Sequence, residues 1–442
     1  MSCLRRASIF TSIFGFALAC VSSAADDEMK KQPPPEFSSG YHPLQPTTPY
    51  PRAEIFGTID VVVLVVALIL AAYLCLNRRS RGGLRALSLF CLLYFGFYRQ
   101  GCICPVGSLQ NVALALSEPS YRLPLVAGLF FVIPMAFTLF YGRVFCSSVC
   151  PLGAAQETVL IRPLTVPTVI NRALSILPYL YLGFGVLFAV TGSSFIICRY
   201  DPFVGFFRLA GRRDAIMLGA ALLALSTFVG RPYCRWLCPY GVLLRWLSPF
   251  ARYQVHIAPD QCVNCHLCAD SCPYGAINVP QPQHRKSDRR AAKSRLARAV
   301  FIIPFLIVTG GFLGWNASPA ISHVNRTVSL ADRLWQEEHG SAIGASEAAT
   351  AWHQLGKPNS ILYLQARRLR SRFIYGSTIM GSFFGLILGF SLAMQHRRNE
   401  GVIVYDADPA SCYSCGRCYD ACPAEQERLV QLTVLAPREQ RQ

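Results

Sequence analysis

"CVNCHLCADSCPYGAINVP" runs from Cys262 to Pro280, and "CYSCGRCYDACP" runs from Cys412 to Pro423. Both carry the spacing C-x2-C-x2-C-x3-C-P. This is the bacterial ferredoxin run, in which four thiolates hold each [4Fe–4S] cluster and the fourth cysteine of each run serves the other cluster. The x2 spacings let one tight turn aim three sulfurs at a common centre, while the cysteine before proline points away. The pattern assigns one cluster to Cys262, Cys265, Cys268 and Cys422, and a second to Cys412, Cys415, Cys418 and Cys272. Each half alone is too small to bury a core, so the clusters are expected to supply the folding energy. Zinc also accepts four thiolates, but two full combs with trailing prolines favour iron–sulfur. Cys262-Val263-Asn264-Cys265-His266 matches the haem c attachment pattern too. Inside a comb, His266 reads better as a surface residue of the cluster loop.

The chain around the combs is not that of a soluble ferredoxin. Of 442 residues, 52% are hydrophobic and 15% are charged, against roughly 25% charged in soluble domains. The partner this implies is the lipid bilayer. The net charge of +18 gathers beside apolar runs, which is the positive-inside signature of membrane proteins rather than a nucleic-acid footprint. Arg5 and Arg6, the apolar run 9–19 and Ser22-Ser23-Ala24-Ala25 read as a secretory signal, residues 1–25. An uncleaved first helix, or lipid anchoring at Cys20, is the alternative.

Apolar runs long enough to cross ~30 Å of hydrocarbon lie at 57–76, 84–99, 123–141, 173–191, 214–230, 299–315 and 373–394. The basic groups at 77–81 and 395–398 put the ends of the first and seventh spans in the cytoplasm, the fifth ends there before "RPYCRWLCPYGVLLRWLSPFAR", and the basic region 285–298 ahead of the sixth is cytoplasmic too. Arg367, Arg368, Arg370 and Arg372 run against this assignment. Two spans separate the combs, so both return to the same cytoplasmic face. The expected fold is an all-α polytopic membrane helix bundle of seven spans after a signal peptide, with a small α+β split two-cluster ferredoxin-like cytoplasmic domain. Its parts are the signal 1–25; an extracytoplasmic linker 26–56; a membrane domain 57–255; a first half-ferredoxin and basic segment 256–298; a membrane hairpin 299–394 with an outer segment 316–372; and a second half-ferredoxin and tail 395–442. The outer segment reads mainly as a solvated connector, with a short helix at 344–352.

Three further stretches end in Cys-Pro-x-Gly: "FYRQGCICPVGSLQN" from Phe97, "FYGRVFCSSVCPLGAAQE" from Phe140 and "VGRPYCRWLCPYGVLLR" from Val229. The last two share Gly-Arg-x-aromatic-Cys-x3-Cys-Pro. Cys146 with Cys150, and Cys234 with Cys238, are i,i+4 pairs that one helix would present on one face. They are expected at the cytoplasmic interface. Four thiolates there suit a further cluster or a structural zinc; burial as small hydrophobic or redox-active thiols is the plainer alternative. Cys102, Cys104 and Cys198 are expected on the outer face as an outer metal site, one ligand short of four. Cys75 and Cys91 read as packing residues.

In combination, the combs and the Gly-Arg-x-Phe/Tyr-Cys-x3-Cys-Pro-x-Gly motifs resemble the NosR/NapH group of membrane polyferredoxins over residues 84–280 and 373–425. The resemblance implies an electron-transfer component of an oxidoreductase system in the bacterial inner membrane. Such proteins relay electrons between a quinol or cytoplasmic donor and a periplasmic reductase system. By that resemblance Cys146, Cys150, Cys234 and Cys238 take the family's Cys-x3-Cys-Pro positions. NosR-like members carry a periplasmic flavin domain with a flavinylated threonine. Residues 26–56 leave no room for one, so a separate flavin subunit is the expected partner. The outer Cys-x-Cys-Pro departs from the NapH pattern. The alternative function is a copper reductase or cofactor-maturation factor of the CcoG type, with the outer cysteines holding the metal.

Other chemistries find no support. No histidine falls within an expected span, so no embedded haem is expected. Carboxylates occur only at span edges, Asp60 and Asp214, whereas ion transporters place them at membrane depth. Neither a phosphate-binding nor a dinucleotide-binding motif is present, and no residue is assigned an acid–base catalytic role.

Overall fold

The computed structural model describes residues 54–101, 104–164, 166–208, 213–257, 262–280, 289–340, 346–354, 356–395 and 405–428. The expected signal and linker, and Cys102, lie outside them. The described chain is mostly helical, with one two-stranded sheet. It divides into two compact units: Met1–Thr58 with Leu187–Phe195 and Val300–Phe390; and Ile59–Val186 with Ile196–Ala299 and Ser391–Gln442.

Four helices are long and apolar enough to cross a membrane: Ile55–Asn77, Val169–Val190, Val300–Ser322 and Asn359–Leu392. The other three expected spans form shorter helical pieces. Leu125–Tyr141 is a 17-residue helix. The run at 84–99 is built as an α-helix, Arg81–Cys91, passing into a π-helix, Leu92–Tyr98. The run at 214–230 is the helix Arg213–Ser226, which ends before Arg231 turns the backbone left-handed (φ 50°).

In the first unit the two longest helices approach through glycine. Gly310 and Gly314 meet the backbone at Gly381 and Ser377, and Gly385 meets Leu306. A Cβ at any of these positions would collide with main chain, so small residues set the helix spacing. The segment between these helices is more than a connector. Helices Arg326–Glu338 and Glu347–Gln354 close a core of Val328, Ala331, Leu334, Ala349, Leu362 and Ala366. Arg370, one of the arginines that opposed the assigned sidedness, is paired with Asp332.

In the second unit the comb-bearing segments meet. Strand β1 (Ile277–Asn278) follows the first comb, and β2 (Asp406–Ala407) precedes the second. They pair antiparallel, Ile277 opposite Ala407 and Asn278 opposite Asp406. Asp408 N–H donates to Ala276 O at 2.7 Å, extending the pairing.

Candidate functional site

The two combs adopt one backbone form. Asn264 and His266 have φ of 53° and 61°; Ser414 and Gly416, at the corresponding places, have 53° and 73°. Such left-handed residues are uncommon outside glycine. Two at the same spacing in each comb give the tight turn that brings successive cysteines to one side. Backbone N–H groups point at sulfur, Ser414 N to Cys412 Sγ at 3.4 Å and Ala276 N to Cys272 Sγ at 3.4 Å. Hydrogen bonds of this kind stabilise thiolate charge and tune cluster potential.

The structure brings the comb cysteines into two neighbourhoods. Cys262, Cys265, Cys268 and Cys422 line one small cavity with Ile257, His266 and Tyr405. Cys272 is an electrostatic neighbour of Cys412, Cys415 and Cys418. His266 is exposed, as its sequence position suggests, and its Nδ1 lies 2.6 Å from Tyr405 Oη. Among the described residues no three Cys, His, Asp or Glu side chains converge as a finished ligand set. That holds for the comb cysteines as well. The loop conformations, the donors aimed at sulfur and the soft all-thiolate sets fit iron–sulfur clusters.

The second comb docks on the basic loop after the first long helix. Arg79 pairs with Glu425 at 2.7 Å and lies over Tyr419, and Arg81 pairs with Asp420 at 3.0 Å. Cys75 does more than fill space there: its thiol donates to Ser414 O at 3.3 Å. Cys91 is buried, as expected of a packing residue.

The Cys-Pro motifs correct one expectation. Cys146 and Cys150 do not share the face of a single α-helix, nor do Cys234 and Cys238. Cys146 lies in a π-turn, Phe145–Val149, and Cys150 is extended (ψ 116°) at the start of helix Pro151–Thr158. Cys234 lies in helix Pro232–Trp236, and Cys238 is extended (ψ 110°) before helix Pro239–Leu247. The cause is proline, which drives the residue before it out of the helical region and then opens a new helix. Cys104 before Pro105 behaves alike (ψ 130°). The Pro239–Leu247 helix also runs alongside a neighbour rather than capping its end. Tyr240 Oη donates to Phe131 O, midway along Leu125–Tyr141, and Tyr253 N reaches Phe140 O at the far end.

The four cysteines are electrostatic neighbours all the same, and Cys104 joins them. Two arginines from the paired Gly-Arg motifs brace the group. Arg231 donates to Cys146 O and Ser147 O. Arg143 lies 4.2 Å over the ring of Tyr413 and donates to Ala410 O at 3.1 Å. Tyr413 belongs to the second comb, yet its hydroxyl donates to Cys234 O at 3.2 Å. Its ring meets Tyr274 of the first comb segment, centroids 4.7 Å apart. One aromatic pair therefore touches both combs and a Cys-Pro motif.

Glu157 closes this junction. Its carboxylate accepts from Arg231 at 3.2 Å, from Arg417 at 2.6 Å and from Tyr274 Oη at 2.9 Å. Burial alone would raise its pKa, but Arg231 and Arg417 outweigh burial and leave it below the ordinary 4.5. Sequence reasoning missed Glu157 and also Gln156, whose Oε1 accepts from Tyr233 N at 3.0 Å and whose Nε2 lies 3.5 Å from Cys234 Sγ. The available signal was Cys-Pro-x-Gly-x-x-Gln, which occurs twice.

Comparison with known proteins agrees with this chemistry. One 4Fe–4S binding domain family matches residues 123–164 and 215–254, which hold or flank the Cys-x3-Cys-Pro motifs, and another matches 255–278 over the first comb. MJ0750, an uncharacterized protein of Methanocaldococcus jannaschii, is 30% identical over 41% of this chain and 77% of its own length. The regulatory protein NosR of Pseudomonas aeruginosa is 29% identical over 62% of this chain and 41% of its own. NirI of Paracoccus denitrificans is 29% identical over 50% of this chain and 35% of its own. The chain belongs to the NosR/NapH-type membrane polyferredoxins. It spans well under half of NosR and NirI. No solved structure matches it. Membership in this polyferredoxin family, together with the 4Fe–4S domains, supports an iron–sulfur electron-transport or regulatory role in a bacterial membrane.

Proposed function

We propose that this chain is an inner-membrane relay carrying single electrons between a cytoplasmic or quinol donor and a periplasmic redox partner. Cys262, Cys265, Cys268 and Cys422 would hold one [4Fe–4S] cluster; Cys412, Cys415, Cys418 and Cys272 would hold the other. Bound clusters supply one-electron redox chemistry, over a range of roughly −700 to +450 mV. The residues of the chain fix where that chemistry happens. Both combs would lie on the cytoplasmic face of a seven-span membrane domain, the second comb segment paired with Arg79 and Arg81 of the basic loop 77–81. Cys146, Cys150, Cys234 and Cys238 would hold a further cluster or metal at the cytoplasmic interface, and Cys102, Cys104 and Cys198 an outer metal, with Cys104 a neighbour of both groups.

The observation that carries this reading is the position of Tyr413. A comb residue bonded to the main chain of Cys234 and in ring contact with Tyr274 supports a relay from the combs to the membrane cysteines. A storage or zinc-knot role requires no such junction. Iron and acid-labile sulfide assays on anaerobically purified full-length protein test the proposal. Eight iron atoms or more per chain, reduced by an added low-potential donor, are expected. Zinc without iron would end it.

A further inference from the structure

The two combs share one backbone form but not one environment. Their spacer residues correspond position for position: Val263 with Tyr413, Asn264 with Ser414, His266 with Gly416, and Leu267 with Arg417. In the first comb all four are exposed, Val263 to 71% and Leu267 to 48%. In the second, Tyr413, Ser414 and Gly416 are buried, and the Arg417 side chain is 11% exposed. Cys265 is exposed too.

Each covered spacer of the second comb has its own cover. Tyr413 donates to Cys234 O, and Ser414 O accepts from the Cys75 thiol. A Cβ at Gly416 would lie 3.4 Å from Leu84 Cδ1. Arg417 pairs with Glu157. The first comb segment meets the Cys234 motif only after its fourth cysteine, where Arg235 donates to Pro273 O and Tyr274 O at 3.4 Å each. That fourth cysteine, Cys272, is an electrostatic neighbour of the second comb. The neighbourhood of Cys412, Cys415, Cys418 and Cys272 is thus packed inward, and the spacers around Cys262, Cys265 and Cys268 face outward.

Electron transfer falls steeply with the separation of donor and acceptor. A carrier arriving through water therefore exchanges where the ligand shell itself is exposed. Spacers buried under other side chains keep it away.

We propose that the first comb is the port at which this protein exchanges electrons with a soluble one-electron carrier, and that the second comb is an internal relay with no port of its own. This rests on reading both combs as cluster ligands, and it names the class of partner and the point of exchange. For inward flow, one electron leaves the carrier, which is oxidised, and reduces the group held by Cys262, Cys265, Cys268 and Cys422. It passes next to the group held by Cys412, Cys415, Cys418 and Cys272, and on to the Cys-Pro motifs. No proton moves and no bond is made or broken.

The test uses full-length protein purified anaerobically in detergent micelles, with the methyl viologen radical cation as a water-soluble one-electron donor. Val263→Glu should speed the bimolecular reduction and Val263→Lys should slow it, each about threefold at low salt, the effect of one unit charge several ångströms away in water. High salt should erase both changes. Asp270→Asn should slow reduction likewise. Asp420→Asn makes the same charge change at the corresponding, half-exposed place in the second comb, and should have the smaller effect. Timed alkylation with an iron chelator present reads the asymmetry without electron flow. Cys262, Cys265, Cys268 and Cys422 should label before Cys412, Cys415, Cys418 and Cys272. A larger effect of Asp420→Asn than of Asp270→Asn, or earlier labelling of the second set, would make the second comb the port and overturn the proposal. Rates unmoved by any charge variant would mean that electrons enter elsewhere, which overturns it as well while the cluster reading stands. A protein that holds no iron would instead remove the reading on which the port rests.

Discussion

The guanidinium of Arg231 and the carboxylate of Glu157 form an ion pair at 3.2 Å, with the arginine side chain wholly withdrawn from solvent. Glu157 follows one Cys-Pro motif and Arg231 precedes the other. The same carboxylate takes Arg417 from the second comb and Tyr274 from the first. A single acidic side chain therefore holds four separated segments of the chain together.

Removing that charge leaves two guanidinium groups buried without an anion. Breaking a buried pair from one side costs about 3–5 kcal/mol. Glu157→Gln should lower the thermal midpoint of the holoprotein and speed loss of iron, both followed by absorbance. Glu157→Asp, which keeps the charge on a shorter arm, should be milder.

The same pair fixes a pH dependence. Burial raises the pKa of Glu157, but the arginines more than offset this, so the folded value lies below 4.5. A depressed carboxylate contributes stability that is complete above its unfolded pKa and is lost as pH falls through the folded one. The junction should be insensitive to pH from neutrality down to about that unfolded value, ~4.3, and should weaken below it. Glu157→Gln should remove this acid limb from a stability profile.

The docking of the second comb on the basic loop is a partly exposed contact. Arg79 is 22% exposed in its pair with Glu425. Arg79→Ala should cost only about 1 kcal/mol, with some further loss from its packing over Tyr419. Limited proteolysis should cut the C-terminal comb faster in this variant, and more so at high salt, while iron content stays near wild type.

Tyr413 makes a more specific prediction. Tyr413→Leu removes the hydroxyl bonded to Cys234 O and the ring beneath Arg143. Electron transfer from the combs to the membrane cysteines should slow at least tenfold in rapid-mixing absorbance measurements. Reduction of the combs by an external donor should be unchanged. Tyr413→Phe, which keeps the ring, should fall between the two.

The combs were legible in the sequence because cysteine spacing encodes a turn directly, and the left-handed residues at 264, 266, 414 and 416 sit where that spacing requires. The pairing of Ile277 with Ala407 was not legible, because two-residue strands carry no periodic signal. Helix lengths were less legible. Hydropathy measures apolar content, and it does not see the π-helical stretch at Leu92–Tyr98 or the left-handed turn at Arg231. The i,i+4 reading of the membrane cysteines failed for a local reason, since Pro151 and Pro239 each break the helix at the second cysteine. Glu157 and Gln156 escaped notice because their roles depend on partners 74 to 260 residues away in sequence.

The exchange of cysteines between combs is tested most directly by Cys272→Ala, followed by alkylation of newly reactive thiols in the anaerobic protein and mass-spectrometric mapping. If the second cluster takes three sulfurs from beyond residue 411, as proposed, Cys412, Cys415 and Cys418 should become reactive while Cys262, Cys265 and Cys268 stay protected. Labelling of Cys262, Cys265 and Cys268 with the distant three protected would mean that each comb holds its own cluster, contradicting the split ferredoxin.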